Sequence, residues 1–355
     1  MKTTLILGAG FSKNSGLPIQ SEIPALLTKY KENSNFERSV SLVLESFMRD
    51  VFGFEKDIYP QLDDLLTCID ISTNSEHHLG INYSPVHLKA LKRLIIYRIF
   101  TILEDSFTYS KEVEKLIRFF IENRLEYTGF LVLNWDTVLE KYISAIAPKA
   151  IIDYCNGGRY LTEDLRFEEK RDGKRKVEIL KVHGSCNWLY CDNCRILIND
   201  TVSRVPNIRK VGFKKSDFKL FDEMKKVTDK VFFEDVRCFI CGDIVSAHIA
   251  TQSYRKSFRT NSFPSIWDKA EDMLTNSEKW VFIGYSLPQA DYEFKHLLKI
   301  CEHKLGHKKD RRLSIDVVLF DSETTAMRYK SFFGNKINRI FNSGIGEYIS
   351  YLEST

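Results

Sequence analysis

Apolar positions along this chain follow two rhythms. Largely apolar runs of strand length fall at 3–7, 129–133, 178–182, 280–283 and 315–320. Runs without polar alternation are what strands covered on both faces of a parallel sheet require. Each ends in a glycine-rich or polar turn: Gly8-Ala9-Gly10, Asn134-Trp135-Asp136, His183-Gly184-Ser185, Gly284-Tyr285-Ser286 and Asp321-Ser322. Strand, polar end and helix in repetition predict an α/β protein, with binding groups gathered where the strands finish.

Between the first two runs, from about 31 to 127, the period is helical. Leu62, Leu65, Leu66 and Ile69 share a face, as do Leu88, Leu91 and Ile95, and Val113, Leu116, Ile117 and Phe120. This predicts an inserted helical module. Residues 155–250 are charged, carry two C-x-x-C pairs and have little long periodicity, which predicts a second insert, with its metal-binding part at about 186–250. No internal repeat or low-complexity linker divides the chain, so one domain over 1–355 is expected.

Composition narrows the class. Of 355 residues, 43% are hydrophobic and 28% charged, as in ordinary folded proteins. The net charge of +4 is too small to indicate direct nucleic-acid binding by bulk electrostatics, and Lys304, Lys308, Lys309, Arg311 and Arg312 read as a solvated loop. No apolar stretch reaches membrane-span length, and MKTTLILGAG lacks the apolar length and cleavage site of a signal peptide. A cytoplasmic protein with no membrane contact is expected. Its cysteines would then sit in a reducing compartment, where Cys191-x-x-Cys194 and Cys238-x-x-Cys241 suit one closed, tetrahedral structural zinc better than disulfides. Cys186 is a spare candidate ligand or a buried thiol.

The segment from Gly8 to Pro18 offers Cβ-free backbone, a helix start and the hydroxyls of Ser12 and Ser15, all suited to a pyrophosphate. It departs from the ordinary dinucleotide fingerprint, which would place glycine at 13, where Lys13 stands. Alone, this G-x-G is equally a tight turn. His183 at a strand end suits a base or a structural histidine, and Asn134 and Asp136 suit helix caps as well as a site.

Taken in order, GAGFSKNSGLP at 8–18, LNWD at 133–136, HGS at 183–185, the two C-x-x-C pairs and GYS at 284–286 resemble the sirtuin family over nearly the whole chain. The resemblance implies a Rossmann-like parallel sheet with an inserted helical module and an inserted zinc-ribbon-like module. It implies NAD binding by Gly8, Ala9, Gly10, Phe11, Ser12 and Ser15, by Gly284 and Ser286, and by Asp321 at the adenosine ribose. It implies catalysis by Asn134, Asp136 and His183. The chain departs from the protein deacylases after Gly16-Leu17-Pro18, where Ile19-Gln20-Ser21 replaces an acidic residue, Phe and Arg. Trp135 and Gly284-Tyr285-Ser286-Leu287-Pro288 look like the bacterial branch that destroys NAD in antiviral defence.

That branch implies an NAD hydrolase, releasing nicotinamide and ADP-ribose as the toxic effector of an antiphage system. Cleaving the N-glycosidic bond builds oxocarbenium character on the ribose, and nicotinamide leaves neutral, so no strong acid is needed. His183 would accept a proton from water or a ribose hydroxyl, Asn134 would orient the water or ribose, and Asp136 would orient Asn134 or the nicotinamide amide. Losing such a base lowers rates by about 10² to 10⁴. An unregulated enzyme of this kind would kill its cell. About 35 residues follow the last apolar run, too few for a sensing domain, so the trigger is expected from homo-oligomer assembly or from a partner, by resemblance a HerA-type ATPase or an Argonaute-type protein. The rival readings are an NAD-dependent protein deacylase and a non-catalytic NAD or ADP-ribose sensor.

Overall fold

The computed structural model describes residues 2–30, 34–55, 57–161, 167–168, 175–191, 193–200, 215–225, 236–249, 262–307 and 312–354. The strands are β1 (Thr3–Leu7), β2 (Thr128–Val132), β3 (Ala150–Asp153), β4 (Arg159–Leu161), β5 (Phe167–Glu168), β6 (Arg175–Lys181), β7 (Gly184–Tyr190), β8 (Leu197–Asp200), β9 (Ser246–Ile249), β10 (Lys279–Ile283), β11 (Ser314–Val318) and β12 (Ile337–Phe341). Seven make one sheet in the order β12-β11-β10-β1-β2-β6-β3, with every neighbouring pair parallel.

All five apolar runs of the sequence lie in this sheet. β1 is buried along its whole length, since helices cover both faces of a parallel sheet. From β1 the chain passes to β2 and on to the edge strand β3, later fills the place between them with β6, then returns to the other side for β10, β11 and β12. The carboxyl ends of β1 and β10 therefore flank a topological switch point, where an open α/β sheet has its crevice. The two outermost strands were not evident in the apolar pattern. β3 is half-buried throughout, and β12 carries exposed Asn338 and Arg339 between its apolar residues. The residues after β11 thus complete the sheet: helix Glu323–Phe333, β12 and helix Ile345–Glu353.

Helices Asn35–Phe52, Leu62–Asn74 and Pro85–Asp105 build a second core from Val40, Phe47, Leu66, Ile69, Leu91 and Ile95. Local chemistry fixes their ends. The Ser34 hydroxyl accepts from Glu37 N, and Gly53 closes that helix in the left-handed conformation at φ 63°. Pro85 follows the Ser84 cap of the third helix. Helix Lys111–Asn123, grouped with this module by its periodicity, instead puts Val113, Leu116, Ile117 and Phe120 into the core of the sheet.

The second insert has its own sheet, β5-β4-β8-β7-β9, over a small core of Leu161, Leu189, Ile198, Val236 and Val245 with Cys191 and Cys238. It draws β4 and β5 from before residue 186, and residues 162–166, 169–174, 192, 201–214, 226–235 and 250 of the expected insert lie outside the described residues. So do Lys308, Lys309 and Arg311, whereas Lys304 pairs with Glu271. No helix among the described residues is long and apolar enough to cross a membrane.

Candidate active site

The turns after β1 and β10 meet back to back. Gly8 N donates to Ile283 O at 3.0 Å, Gly10 N to Gly284 O at 2.8 Å and Phe11 N to Gly8 O at 3.0 Å. A Cβ on Gly10 would lie 2.8 Å from Gly284 Cα, and one on Gly284, itself at φ 63°, would lie 2.1 Å from Phe11 N. These glycines are required by each other. Three of the amides expected to face a pyrophosphate are already committed, so the turn offers a ligand mainly its Cβ-free surface.

Above this junction opens a cleft of about 860 Å³, within the range of sites for sizeable small molecules. Gly8, Ala9, Gly10, Asn134, Trp135, Asp136, Gly284 and Ser286 line it from the sheet side. The opposite wall comes from 18–21 and from 59–63 at the edge of the helical module. Gln20 Nε2 donates to Asp63 Oδ1 at 2.6 Å, tying the two parts of that wall.

Below the cleft, the Asp136 carboxylate organises the turn after β2. Its Oδ1 accepts from Ser12 Oγ at 2.9 Å and from Val138 N at 3.0 Å. Its Oδ2 accepts from Asn134 Nδ2, which also donates to Ser12 Oγ at 2.9 Å. Both donor positions of the Asn134 amide are spent inside the protein, while its buried Oδ1 has no hydrogen-bond partner among the described residues. Deeper still, the fully buried Lys181 ammonium donates to Asp136 O and pairs with Glu140 at 3.0 Å. Tyr154 Oη donates to the same carboxylate at 3.2 Å, and burial, then the Glu140 charge, hold that phenol well above its ordinary pKa.

His183, fully buried, does not line the cleft. Its Nδ1 lies 2.9 Å from Leu133 O, and its Nε2 lies 3.2 Å from Asp291 Oδ1. Asp291 Oδ2 in turn accepts from Tyr285 Oη at 2.8 Å, a phenol that burial and the adjoining carboxylate keep protonated.

The remaining expected residues fall in several places. Ser286 lines the cleft. Phe11 is part of the sheet's core, and Ser12 lies buried beneath the cleft. The Ser15 hydroxyl bonds Tyr142 Oη at 2.9 Å, and its carbonyl accepts from Thr108 N. Neither group of Ser15 takes part in the Asn134 turn. Asp321 is exposed at φ 50°, while its neighbours Phe320 and Ser322, with Thr325 and Arg328, line that end of the cleft. Cys186 packs with Trp135 in the helical module's core, where burial pushes its thiol up to about 12.

The sequence reading missed Asp291, Lys181 and Glu140. Asp291 precedes helix Tyr292–Gly306 and reads as its cap, yet its side chain makes no capping bond. The signal for Lys181 was a charge inside an otherwise apolar strand, which burial makes tolerable only with a partner.

The four cysteines of the two pairs converge. Their sulfurs lie within 4.8 Å of one another, with Cys191 Sγ and Cys241 Sγ 3.5 Å apart. Cys194 N and Ile240 N point at the sulfurs of Cys191 and Cys238, each at 3.4 Å. A tetrahedral zinc with bonds of about 2.3 Å holds its sulfurs about 3.8 Å apart, so Cys191, Cys194, Cys238 and Cys241 fit that ion. Four thiolates leave no open position, and the ion would supply structure and no chemistry.

No family model matches the chain, and no curated protein matches its sequence. Among solved structures it is similar to a Sir2–p53 peptide–NAD⁺ complex, with 12% identity over 99% of this chain and 92% of that one and a TM-score of 0.43. It is also similar to a Sir2 homolog–NAD complex, with 11% identity over 99% and 89% and a TM-score of 0.44. A third Sir2 enzyme structure gives 12% identity over 99% and 91%, again with a TM-score of 0.44.

Proposed function

We propose that this chain is an NAD hydrolase, converting NAD⁺ and water to ADP-ribose, nicotinamide and a proton. The observation that carries the reading is the Asn134 amide at the cleft. Ser12 and Asp136 take its N–H groups and leave its Oδ1 buried without a hydrogen-bond partner among the described residues, so uncovering that oxygen toward the cleft would let it accept from an attacking water or a ribose hydroxyl. Asp136, which already accepts from three donors, orients Asn134. Gly8, Ala9, Gly10, Gly284 and Ser286 would pass the pyrophosphate along the cleft toward Ser322 and Arg328. His183 takes the proton as the bond to water forms.

The ordered motifs support NAD as the substrate. We place the enzyme as the effector of an antiphage defence system, held silent until self-assembly or a partner such as a HerA-type ATPase or an Argonaute-type protein activates it. The helical module exposes Ile58, Ile81 and Val86, the last two at 97% and 60%, as apolar surface for such an assembly.

One observation favours a second reading. A non-catalytic NAD or ADP-ribose sensor would have no use for a base in its cleft, and His183 is sealed from it. Chromatography of NAD, nicotinamide and ADP-ribose after incubation with wild type and His183→Ala, with and without an acetyl-lysine peptide, separates the readings. The hydrolase releases both products without peptide and loses this in the variant. Turnover only with peptide, yielding an acetylated ribose product, would establish the deacylase. Tight NAD binding with no cleavage in either protein would establish the sensor.

A further inference from the structure

The imidazole assigned as the base has no nitrogen to offer in the described state. Leu133 O can only accept, so Nδ1 carries a hydrogen and Nε2 is the basic nitrogen. That nitrogen faces Asp291 Oδ1 at 3.2 Å, with the ring and the carboxylate 0% and 1% exposed. Two lone pairs do not face each other at this distance without water between them, so one proton lies between Nε2 and Oδ1. Asp291 is fixed from its other side by Tyr285. The clamp belongs to the segment that follows β10, whose Tyr285, Ser286 and Pro288 also form cleft wall. Within it Leu287 sits at φ 50°, a left-handed conformation that costs a branched side chain about 1–3 kcal/mol and persists only where its surroundings impose it.

We infer that Asp291 is a latch on His183. The 285–291 segment holds the base capped in a resting state, and activation moves this strained segment so that Nε2 faces the cleft. This rests on the NAD-hydrolase reading and deepens it by giving the resting enzyme a built-in off state. Binding of a partner that favours the open segment would shift the equilibrium only by its differential affinity for that state.

Two variants of Asp291 test the latch in the purified full chain. Asp291→Ala removes the cap and is expected to raise basal nicotinamide release from NAD by about tenfold or more. Asp291→Asn keeps an amide that can donate to Nε2 and is expected to stay near the wild-type rate. Tyr285→Phe, which frees one side of the carboxylate, should fall between them and stands in for Asp291→Ala if that chain does not fold. A rate in Asp291→Ala as low as in His183→Ala would overturn the latch, because Asp291 would then be supporting the base.

Acylation of His183 by diethyl pyrocarbonate, read by peptide mass spectrometry, requires no NAD cleavage. The latch predicts protection in wild type and Asp291→Asn and modification in Asp291→Ala. Equal modification in all three sinks the latch. Differential modification without any nicotinamide release sinks the hydrolase reading and leaves the latch standing.

Discussion

Removing the Ser12 hydroxyl isolates the orientation of Asn134 from everything else in the cleft. Ser12 is 1% exposed, donates to Asp136 Oδ1 at 2.9 Å and accepts from Asn134 Nδ2 at 2.9 Å. Ser12→Ala deletes both bonds and leaves almost no cavity. A hydrogen bond to a charged group contributes about 1.5–3 kcal/mol, and Asp136 keeps Val138 N and Asn134 Nδ2 as donors. The Asn134 amide keeps one anchor and can rotate its Oδ1. If that energy serves to hold the amide for reaction, the rate falls by about 10-fold to 100-fold. Ser15→Ala is the matched control, since its hydroxyl bonds Tyr142 and no part of the Asn134 turn. Both variants should lower the denaturation midpoint, whereas only Ser12→Ala should lower kcat for nicotinamide release. A kcat within twofold of wild type for Ser12→Ala, or an equal loss in Ser15→Ala, would refute the assignment of the Asn134 turn.

Other expectations follow from the same geometry. Gly284→Ala should destabilise by more than about 2 kcal/mol, because the new Cβ meets backbone at 2.1 Å, while Gly53→Ala, also at positive φ but in open space, should cost only about 1 kcal/mol; chemical denaturation of the two compares them directly. Elemental analysis should find one zinc per chain, lost in Cys191→Ser and Cys238→Ser, and chelation should raise hydrogen exchange around Cys191–Cys194 and Cys238–Cys241 while leaving β1 and β10 protected, since Cys191 and Cys238 pack in a small core that includes no residue of those strands. Cys155, Cys186 and Cys301 are each pushed up to about 12, chiefly by burial. Above the ordinary thiol value of about 8.5 the unfolded chain ionises them first, so stability should fall as pH rises from there toward 12, and should fall less in Cys301→Ala.

What the sequence disclosed depended on how locally each feature is encoded. β1 and β10 were legible because strands buried on both faces favour consecutive apolar residues, as at Leu5–Leu7 and Trp280–Ile283. β12, exposed at Asn338 and Arg339, carries no such mark. The helical period of 111–123 showed that the helix has one apolar face without showing that the face meets the sheet. The cysteine pairs were legible because zinc knuckles fix their spacing. The commitment of Gly8, Gly10 and Phe11 amides was not, since it arises from a contact with the turn at Gly284 that no local pattern records. Asp291 was hidden for the same reason, its partner His183 lying more than a hundred residues earlier in the chain.

The function proposed here stands on the Asn134 turn breaking the glycosidic bond of NAD. Its most direct measurement is nicotinamide release from NAD by wild type and by Asn134→Ala, at equal occupancy of the cleft and with enzyme concentration high enough to detect a slow resting rate. Wild type should release nicotinamide with NAD and product summing to the input, and the rate should be lower by about 10² or more in Asn134→Ala. Equal release by both proteins, or bound NAD recovered intact from the wild type, would contradict it.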